Sequence, residues 1–381
     1  MKVALRTDAS LQIGSGHVMR CLTLADALKA RGADCQFISR EHPGHLMEVV
    51  RQRGYKVNRL AAGVPHGKNA IKSVAKQVRD AQPEPAHAAW LGSTWQADAQ
   101  ETAAILVDLQ PDWLVVDHYA LDERWERALR PDCGRVFVID DLADRPHDCD
   151  LLLDQNLGRS PEHYARLVPR DCTVLAGPRY ALLRPEFARL RDYSLQRRRH
   201  GKLQHLLITM GGVDADNATG CVLEALGACK LPSGCCITVV MGAAAPWLGQ
   251  VRGQAARMVV PTEVVVDVDD MAQRMADSDL AIGAAGGTAW ERCCLGLPSL
   301  VVVLAANQRP GALALGQAGA AVLLDDDLIN RQPGIAALQE ALRNTDRLWA
   351  TSLAARQLAD GLGALRVIDH VCAATEPSRL S

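Results

Sequence analysis

No run of 18 apolar residues occurs anywhere in the sequence, and its first residues, MKVALRTDASLQ, reach Asp8 without a long apolar segment. Neither a membrane-spanning helix nor a leader peptide is expected, which favours a cytoplasmic protein. Charge of one sign is also missing. The 42 Lys and Arg and 44 Asp and Glu leave a formal net charge of −2, so no global field draws in nucleic acid or an anionic membrane, and neither is expected as a partner. Among twelve cysteines there is no CxxC pair; they are scattered, apart from the neighbours Cys235–Cys236 and Cys293–Cys294. Such spacing argues against a zinc site or a disulfide framework and for reduced, mostly buried thiols. Finally, no Walker GK[ST] ending and no complete GxGxxG is present, so an ATPase or a nicotinamide dehydrogenase is poorly supported.

What is there is ordinary globular composition, 48% hydrophobic and 23% charged, in 381 residues. That length exceeds the usual single domain, so two domains are the prior. Short apolar strands alternate with amphipathic helices, the pattern of an α/β protein with parallel sheets. In the first half strands are expected at 2–6, 35–39, 56–60, 113–117, 135–139, 150–153 and 173–175, with helices near 17–31, 44–53, 98–109 and 122–130. Residues 61–97, rich in Ala, Gly and Pro, read as a surface excursion. A charged stretch, RPEFARLRDYSLQRRRHGK (184–202), reads as a helix and linker between domains spanning 1–190 and 203–381. The second half repeats the alternation, with strands at 205–212, 236–242, 264–268, 280–283, 299–304 and 320–324, and three helical stretches fill 334–374. Two doubly wound, Rossmann-like domains facing across a cleft are the expected assembly, with ligands outside the carboxyl ends of the strands.

Three glycine-rich loops follow strands: IGSGH (13–17), MGGVDADN (210–217) and IGAAGGTAWE (282–291). A Gly-rich turn that feeds a helix exposes backbone N–H groups, and the helix dipole adds about half a positive charge, an arrangement suited to phosphate. A plain structural turn gives the same pattern for any one of them. Two such loops in the same half, with Gly211 and Gly212 in one and Gly286, Gly287 and Thr288 in the other, favour a diphosphate. Glu291 follows Thr288 by one helical turn; its carboxylate suits a ribose diol, and equally a first-turn acid stabilised by the dipole. EHPGH (41–45) and HDCD (147–150) lack metal-ligand spacing, so no metal is expected.

The stretch DVDDMAQRMADSDLAIGAAGGTAWERCCLGLPSLVVVLAANQ (267–308) resembles the nucleotide-sugar half of the UDP-GlcNAc transferase that makes lipid II, an enzyme of the GT-B fold. By that resemblance Val268 stands at the uracil-gripping position, Gly286, Gly287 and Thr288 at the diphosphate loop, and Glu291 at the ribose acid. In the first half, RTDASLQIGSGHVMRCLTLA (6–25), WLGSTWQADAQET (90–102), VVDHYALDERWE (115–126), VIDDLADRPHDCDLLLDQN (138–156) and GPRYALLRPEF (177–187) resemble a narrower family. It is the UDP-2,4-diacetamido-2,4,6-trideoxy-β-L-altropyranose hydrolase of pseudaminic acid biosynthesis, the route to a nonulosonic acid used in flagellin glycosylation. The chain is longer than that family through 61–97 and the region after about 330.

The resemblance implies attack of water at the anomeric carbon with inversion and release of UDP, with no cofactor. UDP leaves readily once its diphosphate is neutralised, so the remaining task is to activate water, and one positioned base contributes about 10²–10⁴-fold. His17 is the expected base, because a helix N-terminus disfavours imidazolium and leaves a neutral ring able to take a proton; Gly14 and Gly16 bring backbone close to the ligand. Arg6 and Asp8 either orient the histidine or form a structural ion pair under the loop. Tyr119 either contacts the sugar or packs as a wall. Asn307 and Gln308 stand where related enzymes hydrogen-bond the sugar, whereas Asp141, Asp144 and Arg145 form either part of a site or, the favoured reading, a turn with its own capping. A GT-B glycosyltransferase using a UDP-amino-sugar donor is the alternative, and a catalytically dead nucleotide-sugar sensor a third reading. Protein partners are unreadable.

Overall fold

The computed structural model describes residues 1–63, 83–200, 202–324 and 332–375. Most of the 61–97 excursion and the acidic triplet 325–327 lie outside those residues. The chain forms two compact units, one built on Met1–Gln155, Arg159–Ala176 and the chain from Leu365, the other on Asn156–Gly158 and Gly177–Ala364.

The first unit is a seven-stranded sheet of β1 (Lys2–Thr7), β2 (Asp34–Arg40), β3 (Lys56–Leu60), β4 (Trp113–Asp117), β5 (Arg135–Ile139), β6 (Leu151–Asp154) and β7 (Thr173–Ala176). The order is β3-β2-β1-β4-β5-β6-β7, and every pair is parallel. Strands such as WLVVD and RVFVI have almost no polar residue to turn outward, so both faces must be covered by helices. Those are α1 (Gly16–Lys29), α2 (Met47–Gln52), α3 (Trp95–Leu109) and α4 (Glu123–Leu129). Trp113, Phe137 and Trp125 are 1%, 0% and 0% exposed; a fully buried side chain of this kind contributes about 1.5–3 kcal/mol. The strand order reverses between β1 and β4, where Thr7 pairs with Asp117. Ligands collect outside the carboxyl ends of strands at such a reversal.

The second unit repeats the plan with β8 (His205–Thr209), β9 (Cys236–Met241), β10 (Thr262–Val266), β11 (Leu280–Ala284), β12 (Ser299–Val302) and β13 (Val322–Leu324). Its order, β10-β9-β8-β11-β12-β13, is again all parallel and reverses between β8 and β11. The helices are α5 (Pro185–Arg197), α6 (Ala218–Gly227), α7 (Leu248–Ala255), α8 (Met271–Asp277), α9 (Thr288–Cys294), α10 (Arg309–Gln317), α11 (Gln332–Arg343) and α12 (Thr345–Ala355); α13 (Gly363–Thr375) follows and falls in the first unit from Leu365. Both units are therefore Rossmann-like α/β domains, as the alternation predicts.

Two strand bounds differ from the sequence reading for local reasons. The strand expected over 205–212 ends at Thr209, because Gly211 turns the chain with φ 93°. The strand expected at 264–268 spans Thr262–Val266, since Asp267 takes φ 49° and leaves the sheet. The helix expected in the charged run is present as α5, and the arginines of that run are held within the second unit. Arg198 donates to the carbonyls of Met275, Ser278 and Leu295 at 2.7–2.8 Å, and Arg191 to that of Arg356 at 2.6 Å. The charged run thus supplies cations to carbonyls at the C-terminal ends of α8, α9 and α12, which helices leave without partners. Burial, with Arg197 beside it, pushes the Arg198 guanidinium down to about 9. The second compact unit includes this run within Gly177–Ala364, and the chain from Leu365 groups with the first unit.

Candidate active site

The sharp turn after β1 needs Gly14 at φ 81°, and α1 then starts at Gly16, with His17 as its second residue. A Cβ at Gly16 would meet nothing within 4 Å, so the space beside the turn is open. His17 is 8% exposed, and its Nδ1 lies 2.6 Å from Oδ1 of Asp117, the last residue of β4. The strand reversal is what brings these two residues together. Burial pushes the Asp117 carboxyl up, but Arg20 and His17 outweigh it and hold the group well below the usual carboxylate range. A carboxylate only accepts hydrogen bonds, so Nδ1 carries the ring proton. In the neutral ring the lone pair then lies on Nε2, which has no hydrogen-bond partner among the described residues. A buried acid that fixes the tautomer of a base is the arrangement that general-base catalysis requires.

Arg20, one turn along α1, locks the pair. It donates from Nε and Nη2 to Asp117 at 2.6 and 2.7 Å and from Nη1 to Asp141 at 2.5 Å. Asp141 in turn accepts from the Tyr119 hydroxyl at 2.7 Å, and the Tyr119 ring meets His17 edge-on at 4.5 Å. Trp90 stacks on Tyr119 with centroids 5.7 Å apart, and His87 lies 4.4 Å from Trp90, so an aromatic wall stands beside the base. Asp141 therefore departs from the capped-turn reading. Arg145 fits it, since that side chain is buried on Asp140 and the Leu121 carbonyl.

Arg6 and Asp8 are 0% exposed and joined at 2.6 Å. Arg6 also reaches Asp98, as does Arg40, while Trp125 donates its indole N–H to the same carboxylate at 3.0 Å. Asp8 further accepts from Ser39 Oγ and Arg40 N, with the Nε2 atoms of His42 and His118 at 3.4 and 3.2 Å. Every polar atom of Arg6 is turned toward these acids, beneath the IGSGH loop.

In the second unit, loops 210–217 and 285–288 follow β8 and β11, the two strands at the reversal. They differ chemically. At the start of α6, Asp214 accepts from the amides of Ala218 and Thr219 at 2.8 and 3.0 Å, and Asn217 from Gly220 at 3.2 Å. The chain's own carboxylate occupies the anion position there, so the exposed Gly211 and Gly212 offer backbone without the helix end. At the start of α9 no side-chain cap is present, and the N–H groups of Gly286, Gly287 and Thr288 have no partner among the described residues. Gln308 lies beside this loop, its Nε2 3.9 Å from where a Cβ on Gly286 would stand, and its Oε1 accepts from Leu304 N. Asn307 beside it is exposed. Val268 follows the turn at Asp267, whose carboxylate accepts from Ala243 N at 2.9 Å.

The Glu291 carboxylate accepts no hydrogen bond among the described residues. Burial pushes it up to about 7, against the pull of the Arg184 and Arg292 cations. Near neutral pH a carboxyl so shifted is partly protonated. Asp117, Arg20, Trp90 and His87 were not singled out from the sequence. Their signals were an acid closing the apolar run WLVVD and a tryptophan opening the WLGSTW motif.

Residues 205–363 match the Glycosyltransferase family 28 C-terminal domain. The chain is 24% identical over 319 residues to the UDP-2,4-diacetamido-2,4,6-trideoxy-beta-L-altropyranose hydrolase of Campylobacter jejuni, covering 84% of this chain and 97% of that one. It is 23% identical over 312 residues to an uncharacterized protein of Methanocaldococcus jannaschii, covering 81% of this chain but 56% of that relative. A shorter match, 38% identical over 116 residues, is to the UDP-N-acetylglucosamine–N-acetylmuramyl-(pentapeptide) pyrophosphoryl-undecaprenol N-acetylglucosamine transferase of Methylibium petroleiphilum, 29% of this chain and 30% of that one. Among solved structures, MurG of Acinetobacter baumannii superposes with TM-score 0.67 at 16% identity, covering 98% of this chain and 99% of that chain. The fold is thus that of the GT-B glycosyltransferases, and the resemblances read from the motifs stand: to the hydrolase along most of the chain, to the transferase in the second unit.

Proposed function

We propose that the protein is a UDP-sugar hydrolase, acting on UDP-2,4-diacetamido-2,4,6-trideoxy-β-L-altropyranose at the anomeric carbon with inversion, in pseudaminic acid biosynthesis in the cytoplasm. The observation that carries the reading is the His17–Asp117 pair, a tautomer-fixed imidazole with a free Nε2, in a chain similar to such a hydrolase over 84% of its length. In this reading the second unit binds UDP. The free amides of Gly286, Gly287 and Thr288 take the diphosphate, Glu291 takes the ribose hydroxyls, backbone at Val268 takes the uracil, and Gly211 and Gly212 lend further backbone. Asn307 and Gln308 contact the sugar. With the diphosphate charge met by backbone donors, UDP departs without a strong acid, and His17 Nε2 removes the proton of the attacking water. Asp117 stabilises the imidazolium that results, and Arg20 keeps Asp117 ionised. Gly14 and Gly16 let the ligand approach the turn, Tyr119 and Trp90 form the wall against which the sugar lies, and Arg6 and Asp8 support the loop from beneath.

The GT-B likeness and the transferase-like stretch favour a second reading, a transferase using a UDP-amino-sugar donor. UDP release with water as the only acceptor decides between them. Rapid release from the altro sugar, absent with UDP-GlcNAc and lost in His17→Ala while UDP still binds, supports the hydrolase. UDP binding without release from either sugar overturns it in favour of the transferase.

A further inference from the structure

Arg292, in the middle of α9, is 1% exposed. Its guanidinium turns back beneath the 285–288 loop, where Nη2 donates to the Ala284 carbonyl at 2.7 Å and Nη1 to the Thr288 hydroxyl at 3.2 Å. Nε is buried with no hydrogen-bond partner among the described residues. The fold makes room for this group deliberately: a Cβ at Gly283 would stand 2.8 Å from Nη1 and 2.7 Å from the Thr209 carbonyl. Yet no carboxylate forms an ion pair with Arg292 among the described residues, although Glu291 next to it attracts it at longer range. The other deeply buried arginines are better provided for, although the Nε of Arg40 also lacks a partner among the described residues. Arg6 and Arg40 sit on Asp8, Asp98 and Glu101, and Arg198 has carbonyls at every nitrogen. Buried cations are costly unless paired, so a cation kept beneath three unpartnered amides is short of an anion.

We propose that Arg292 is the buried counter-charge for the diphosphate, a positioning residue that acts through the Thr288 hydroxyl and through its field at the loop amides rather than by touching the ligand. The inference rests on the reading that this loop holds the diphosphate of UDP. In a water-poor setting a charge acts over several ångströms with little screening. The benefit should therefore grow with ligand charge, from uridine to UMP to UDP, and a residue that only supports the fold would show no such grading.

The test is calorimetric titration of the full chain with uridine, UMP and UDP, for wild type, Arg292→Met and Arg292→Lys, with melting temperatures measured without ligand. Arg292→Met is expected to weaken UDP at least tenfold, UMP less, and uridine by under twofold, while its unliganded melting temperature does not fall; Arg292→Lys restores most of the UDP affinity. Should the Met variant fail to fold, Arg292→Gln, which keeps a donor for Ala284, gives the same comparison. UDP affinity within twofold of wild type in the neutral variant overturns the proposal, and so does an equal loss for all three ligands. Wild type that binds uridine and UDP equally well overturns instead the reading of the loop as a diphosphate site.

Discussion

Replacing Asp117 with Asn isolates the tautomer argument. The carboxylate accepts from His17 Nδ1 at 2.6 Å and from Arg20 at 2.6 and 2.7 Å. An amide has one acceptor oxygen and one donor NH₂. Arg20 offers two donors to that position and also stays anchored on Asp141 at 2.5 Å, so the amide oxygen turns to Arg20 and the NH₂ faces Nδ1. That orientation stabilises the ring proton on Nε2 and converts the base into a donor. The expected loss is the whole contribution of a positioned base, about 10²–10⁴-fold in kcat, or roughly 3–5 kcal/mol at 1.36 kcal/mol per decade. UDP affinity should stay within twofold, because the residues assigned to UDP belong to the other unit. The assay is UDP release under saturating substrate, beside a UDP titration and a thermal melt of the same preparation. A kcat within threefold of wild type would refute the reasoning. A parallel loss of UDP binding would refute it too, since it would mark Asp117 as support for the fold rather than for the base.

Glu291 predicts a pH dependence. With its pKa raised to about 7, about half the carboxylate is ionised at pH 7 and about a tenth at pH 6. Uridine affinity should weaken several-fold from pH 8 to pH 6 in wild type and stay flat in Glu291→Gln. Because the folded pKa lies above the unfolded one, this residue's contribution to stability is present below about 4.5 and lost as pH rises through about 7. Glu291→Gln should therefore raise the melting temperature at pH 8 and leave it unchanged at pH 4; a lower melting temperature at pH 8 would contradict the assignment. Trp90→Ala removes the outer ring of the aromatic wall, and at about 1–3 kcal/mol for a buried contact it should raise KM for the sugar nucleotide about tenfold with UDP affinity unchanged. Asp98→Ala leaves Arg6, Arg40 and the Trp125 indole without their shared acceptor and should cost about 3–5 kcal/mol in denaturant unfolding. A cost under 1 kcal/mol would show that the network is not closed in solution.

The sequence by itself determined the architecture and half of the candidate site. Unbroken apolar strands such as WLVVD and SLVVVL cannot face water, so they dictate covered parallel sheets, and the strands were legible to within a residue or two except where Gly211 and Asp267 bend the chain. His17 and the loop at 286–288 were legible because glycine before a helix has a local conformational meaning. What joins His17 to Asp117 was not, since 100 residues separate them and only the reversal of strand order sets β4 beside β1. Nor could spacing distinguish the two loops of the second unit. In GGVDADN the chain's own Asp214 and Asn217 fill the helix end, whereas in GAAGGT no side chain among the described residues does, and that difference depends on side-chain reach in three dimensions. The charged run at 184–202 shows the same limit: its helix was legible, but nothing in it says that Arg191 and Arg198 will find the carbonyls of α8, α9 and α12. Periodicity and local backbone preference are properties of the chain, while the partner of a buried charge is a property of the fold.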